Sequence, residues 1–212
     1  MTAKGRAEAR MAAALAKRCV VGTLRSAQYR MPEREMIDFS SNDYLGIAQK
    51  KSVYKEYIDE EMLHVERSGR QLSGSTGSRL LTGCSSTHDD LERWIAEFHG
   101  WPRAVLFGSG YAANSGVAAC VATESDIVLY DELSHNCTRF GLSRGRQHTT
   151  LSFRHNDAEV LETSIKSLRT NHHDSTIFIF VESVYSMDGD AAPLKAYAQV
   201  CRSDGNACLI ID

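Results

Sequence analysis

Four polar clusters hold the residues of this sequence best suited to chemistry. Gly108-Ser109-Gly110-Tyr111 interrupts an apolar run and is followed by small residues of helix-compatible composition. A strand, a glycine turn and a helix in that order aim free backbone N–H groups at an anion, and glycine lets the backbone approach it closely. The same residues also suit an ordinary tight strand-to-helix connection, so the turn alone decides nothing. Asp131-Glu132-Leu133-Ser134-His135-Asn136 adds an imidazole and a hydroxyl. The stretch ESVYSMDGD (182–190) adds hydroxyls and carboxylates, and Asp212 a further carboxylate. Together they match the needs of a phosphorylated aromatic cofactor. Its phosphate would sit on a helix N-terminus, a ring would stack on its face, and a carboxylate would meet a ring nitrogen.

These clusters meet only if strands deliver them to one edge. Strands are expected at 104–107, 127–130, 149–153, 176–182 and 207–212, and helices at 112–123, 157–170 and 193–203. Residues 176–181 (TIFIFV) are apolar at almost every position, as in a strand covered on both faces. Strands alternating with helices predict an α/β domain with a mostly parallel sheet layered by helices. In such sheets ligands bind beyond the carboxyl ends of the strands, where these clusters fall. Earlier in the chain, a strand at 36–39 leads to a polar turn at 40–46 and a helix over 52–65. Ser86 or Thr87 is expected to cap a helix whose Leu91, Trp94, Ile95 and Phe98 form a core stripe, ended by Gly100. His155, His172 and His173 read as surface histidines.

Composition excludes several classes. With 212 residues, 42% hydrophobic and 24% charged, the chain suits one large domain or two small ones. A net charge of −3 gives no global attraction to nucleic acid or an anionic membrane. The six cysteines form no CxxC pair, so neither a metal site nor a secreted disulfide framework is expected; they read as reduced packing thiols. Residues 68–83 are glycine- and hydroxyl-rich, but Ser75 stands where a P-loop requires lysine. Leu72, Leu80 and Leu81 make that stretch a loop that packs against something. Residues 1–30 are basic and alanine-rich, with Glu8 as their one acid. A helix with a solvated basic face in a cytoplasmic protein is the first reading, and an organellar leader the second.

The blocks FSSNDYLG (39–46), GSTGSRLLTG (74–83), THDDLE (87–92), LFGSGYAAN (106–114), DELSHN (131–136), ESVYSMDGDAAPL (182–194) and LIID (209–212) occur in this order. With them the chain resembles the α-oxoamine synthase family of pyridoxal-phosphate enzymes from Phe39 onward. FSSNDYLG with a GSxGSRL loop matches the branch that joins L-alanine to a pimeloyl-type acyl-CoA, ahead of those using other amino acids. The resemblance implies the large domain of a fold-type I pyridoxal-phosphate transferase and a homodimer in the full-length form. It places Gly110 and Tyr111 at the cofactor phosphate, His135 on the pyridine ring and at the substrate, Ser186 in a hydrogen bond to the cofactor, and Asp212 at the ring nitrogen. Arg25 and Asn42 would meet the acyl and amino-acid substrates. It further implies that residues 1–38 are a basic arm and short strand, and 39–212 the N-terminal part of the large domain. The family's Schiff-base lysine and small C-terminal domain are then not in this chain, which would be inactive alone. A non-catalytic partner subunit is the alternative.

Overall fold

The computed structural model describes residues 2–25, 39, 41–68, 74–147 and 149–212. They form two compact units, Met1–Gly74 and Ser75–Asp212. The expected strand at 36–39 lies outside the described residues except for Phe39, as does Leu72.

In the first unit the basic arm is helix α1 (Ala3–Val20), capped by the Thr2 hydroxyl, which accepts the Gly5 N–H at 3.2 Å. Lys17 and Arg18 occupy its last turn, where the helix dipole favours cations. The turn that follows is built by Asp43, whose carboxylate accepts the Ile47 and Ala48 amides at 2.8 and 3.1 Å. A 3-10 turn at Ile47–Gln49 then leads into α2 (Lys51–Ser68), on which Val53, Tyr57 and Ile58 stay about half exposed.

The second unit is the α/β layer structure expected from the alternating pattern. Strands β1 (Ile127–Asp131), β2 (Thr149–Phe153), β3 (Ile177–Val181) and β4 (Ala207–Ile211) form one parallel sheet in the order β2-β1-β3-β4. Among the described residues this unit has five helices: α3 (Ser86–His99), α4 (Gly110–Cys120), α5 (Asn136–Leu142), α6 (Ala158–Arg169) and α7 (Leu194–Asp204). Alternate strand residues face opposite sides. Ile127, Leu129, Ile177, Ile179 and Val181 pack with Leu161 and Ile165 of α6 and Tyr197 and Cys201 of α7. Val128 and Phe180 pack on the other face with Ala118 of α4 and Leu142 of α5. Helix α5 had no counterpart in the sequence reading, because a seven-residue helix is too short to show a period. It lies so close to α4 that a Cβ on Gly141 would stand 2.4 Å from the Ser115 carbonyl oxygen.

Several expectations are corrected. Residues 104–107 make no strand. The Leu106 amide donates to Glu92 Oε1 at 2.6 Å, and its carbonyl accepts from Arg79 Nη1 at 3.1 Å. Arg79 and Glu92 pair at 2.6 Å, so an ion pair takes the backbone groups a neighbouring strand would use. The Arg79 hydrogen bond and then the Leu106 amide hold the Glu92 carboxyl down at about 2. Helix α3 begins one residue earlier than expected: Ser85 is the cap, its amide donating to His88 Nδ1 at 3.2 Å. Gly100 ends α3 in the left-handed region, as expected. The stripe on α3 is not core. Trp94 is 59% exposed and stacks on the equally open Phe98 at 5.4 Å, while Ala96 is buried. A helical period marks an apolar face without saying what covers it. Leu80 and Leu81 likewise stand exposed on a loop closed on itself by the Ser75 hydroxyl, which donates to the Gly83 carbonyl at 2.7 Å.

Candidate cofactor-binding site

The chain leaves β1 for β2 on one side, then crosses back over β1 to β3 and β4. The strand order therefore reverses between β1 and β3, and the crevice beyond their carboxyl ends is where such sheets bind ligands. Helix α4 begins with Ser109 as its cap, the hydroxyl accepting the Ala112 amide at 3.1 Å while the Ser109 carbonyl accepts the Ala113 amide at 3.0 Å. The amides of Gly110 and Tyr111 are left with no acceptor among the described residues. A side chain at Gly108 or Gly110 would meet no protein atom within 4 Å. These glycines thus leave open room in front of the helix rather than serving packing. Tyr111 is partly exposed and its ring lies 6.2 Å from that of Phe140.

Beyond β1, His135 is exposed and caps α5 with its own ring, Nδ1 accepting the Cys137 amide at 3.1 Å. The His135 amide donates to Glu182 Oε1 at 2.5 Å. Glu182 directly follows β3 and is buried. Burial raises its pKa, the His135 amide works against this, and the charge of Asp212 adds to the rise. Asp212 directly follows β4; its amide donates to the Val181 carbonyl at 2.9 Å, and its carbonyl accepts from Ser183 at 2.7 Å. Asp212 lines a cleft of about 150 Å³ together with Asn114, Ser134, Thr138, Phe180 and Ile210. The Ser134 hydroxyl is buried there without a hydrogen-bond partner among the described residues.

The loop 183–192 folds back on itself through the bridge between Val184 and Ala191. Ser186 and Asp188 are exposed in its turn, which is closed by the Gly189 amide donating to the Tyr185 carbonyl at 2.8 Å. The loop is anchored by a residue that the sequence reading placed on the surface. The His155 side chain is 19% exposed, and its Nδ1 and Nε2 lie 2.8 Å from Asp131 Oδ1 and 2.8 Å from Asp190 Oδ2. Its signal was present, since it follows β2 by two residues and so obeys the same post-strand rule as His135. Glu182, the link between the His135 and Asp212 segments, was legible as the acid that ends an apolar strand. Arg25 and Asn42 are exposed and belong to the unit Met1–Gly74, so their substrate roles rest on the resemblance alone.

Two unpaired amides at a helix start, a ring, an orphaned buried hydroxyl and a carboxylate beside the cleft fit a phosphorylated heteroaromatic group. Comparison with known proteins agrees: residues 34–212 match the family described as aminotransferase class I and II. The chain belongs to that family. It is 38% identical over 177 residues to a putative 8-amino-7-oxononanoate synthase of Methanococcus vannielii, covering 84% of this chain and 44% of that protein. It is 39% identical over 204 residues to the 8-amino-7-oxononanoate synthase of Methylobacterium nodulans, covering 93% and 51%. A serine palmitoyltransferase from S. paucimobilis, solved with a pyridoxal-phosphate–myriocin aldimine, superposes with a TM-score of 0.64 and 32% identity over 74% of this chain and 37% of that one. Such relatives place the chain among the α-oxoamine synthases of fold type I. The chain spans about half the length of the curated relatives, or less.

Proposed function

We propose that this chain supplies the phosphate cradle and ring contacts of a pyridoxal-phosphate enzyme that condenses an amino acid with an acyl-CoA and releases carbon dioxide. The observation that supports this reading is the pair of Gly110 and Tyr111 amides without an acceptor among the described residues, at the start of the helix whose Ala113 and Asn114 line the Asp212 cleft. The two amides hold the phosphate, with the positive end of α4 behind them. Asp212 meets the ring nitrogen, where a carboxylate favours the protonated form. His135 covers the ring face. Because its Nδ1 accepts the Cys137 amide, the proton of the neutral imidazole sits on Nε2, free to donate to a substrate carboxylate. The exposed Ser186 hydroxyl donates to a cofactor oxygen, and the resemblance alone gives Asn42 and Arg25 to the amino acid and the acyl group. Bound there, pyridoxal phosphate supplies an electron sink for the carbanion electrons of the amino acid.

The names of the relatives support L-alanine and a pimeloyl-type thioester as substrates. Neither Lys166 nor Lys195, the lysines of the unit Ser75–Asp212, lines the Asp212 cleft. On this reading the unit Ser75–Asp212 holds the cofactor without a covalent bond. Given pyridoxal phosphate, L-alanine and pimeloyl-CoA, it is expected to form no amino ketone by mass spectrometry. Joined to the lysine-bearing remainder of a relative, it is expected to form one with release of carbon dioxide. Turnover by the joined protein with glycine or serine instead would move it to another branch. Turnover by the 212-residue chain alone would overturn the reading of the cleft.

A further inference from the structure

His155 takes no part in the chemistry above, yet both its ring nitrogens are engaged. Its two ring nitrogens both lie 2.8 Å from a carboxylate oxygen, Asp131 at the end of β1 and Asp190 in the loop 183–192. A neutral imidazole would turn a lone pair toward one of those oxygens, so both nitrogens carry protons and the ring is an imidazolium. Asn156, held at φ 52°, doubles the link: its amide donates to Asp131 Oδ2 at 3.0 Å and its side-chain nitrogen to Asp190 Oδ2 at 2.6 Å. The ring of Tyr185, from the same loop, meets the imidazole edge-on at 4.4 Å. Asp131 also accepts the Leu133 amide at 2.9 Å, in the segment that leads to His135.

We propose that His155, donating through both ring nitrogens, is a positioning residue that fixes the loop 183–192, and with it Ser186, against the carboxyl end of β1. The benefit to cofactor binding rests on the function proposed above. The other titratable groups around the ring are Glu132, which accepts the His155 amide at 3.0 Å, and Tyr185 and Tyr197, whose ionisation burial pushes far upward. On its own segment the Arg154–Asp157 pair is internally neutral. Burial alone would lower the His155 pKa, but the hydrogen bonds and charges of Asp131 and Asp190 outweigh it and raise the value. In turn His155 holds the Asp190 carboxyl below its usual range. A raised imidazole pKa stabilises the folded clamp fully below about 6.5, and that contribution is lost as pH rises through the raised value.

The test is amide hydrogen exchange on the cofactor-free chain, with the imidazole followed by NMR. In His155→Leu the Gly189 and Ala192 amides, both bonded within the loop, are expected to exchange at least tenfold faster than in the natural chain. Leu129 and Ile179 amides should keep their protection, showing that the sheet is intact. In the natural chain the same two loop amides are expected to loosen as His155 loses its proton, beyond the intrinsic rise with pH, and Asp190→Asn should abolish that step. Equal exchange in His155→Leu, or a step that survives in it, would overturn the proposal. Pyridoxal phosphate binding, read by calorimetry, should weaken across the same step; an affinity that ignores the step overturns the positioning role. Failure of the natural chain to bind pyridoxal phosphate below the step would instead defeat the cofactor reading, with exchange still deciding whether the clamp exists.

Discussion

Replacing Asp131 by asparagine tests the junction on which the whole carboxyl edge depends. The Asp131 side chain is completely buried. It receives the Leu133 amide, the Asn156 amide and His155 Nδ1. A carboxylate can accept all of these, whereas a carboxamide accepts on one oxygen and turns an NH₂ toward groups that are themselves donors. The Leu133 amide and His155 Nδ1 share one oxygen and the Asn156 amide takes the other, so at least one buried donor loses its acceptor, at roughly 1–3 kcal/mol. No discount for solvent applies at a site without exposed surface. The substitution should therefore cost about 2 kcal/mol. With an m-value near 2 kcal/mol/M, the urea midpoint followed by circular dichroism should fall by about 1 M without a change in slope. A loss below about 1 kcal/mol would refute the view that Asp131 gathers these donors.

Other expectations concern the core, the thiols and one acid. Ile179→Ala removes a fully buried side chain from the central strand β3 and should cost about 2–5 kcal/mol in the same assay; a near-neutral result would remove β3 from the core. Brief alkylation of the native chain at pH 8 should label the exposed Cys19, Cys84, Cys120 and Cys208 and spare the buried Cys137 and Cys201, the latter pushed up to about 11 by burial; peptide mass spectrometry reads the pattern, and early labelling of Cys201 would contradict it. Because burial raises the Glu182 pKa, the folded chain keeps a proton there that the unfolded chain releases from about pH 4.3. The stability of the natural chain relative to Glu182→Gln should therefore decline as pH rises from that value and level off above the raised one; a difference that grows with pH would reverse the sign.

The sheet was legible because its strands advertise themselves. Residues 127–131, 177–181 and 207–211 are short and largely apolar, and 149–153 is a short run rich in β-branched and aromatic residues, so their ends lay within a residue or two of expectation. The polar loops after β1, β3 and β4 then fell at one edge as a matter of topology. Residues 104–107 look equally strand-like, yet the Arg79–Glu92 pair takes the backbone groups of Leu106, and a contact between side chains so distant in sequence leaves no local pattern. The α3 stripe failed for a related reason, since period reports amphipathicity and not the identity of the neighbour. His155 escaped notice because its importance comes from two acids 24 and 35 residues away, which only the fold brings to its ring.

The central claim is that α4 opens onto the phosphate of pyridoxal phosphate. Gly110→Pro tests it most directly, because proline is accepted at the first position of a helix while removing one of the two free amides. Calorimetric titration should show pyridoxal phosphate bound about tenfold or more weakly by Gly110→Pro than by the natural chain, with pyridoxal, which lacks the phosphate, distinguishing the two proteins little. Equal affinity of both proteins for pyridoxal phosphate, with helix content preserved, would contradict the account.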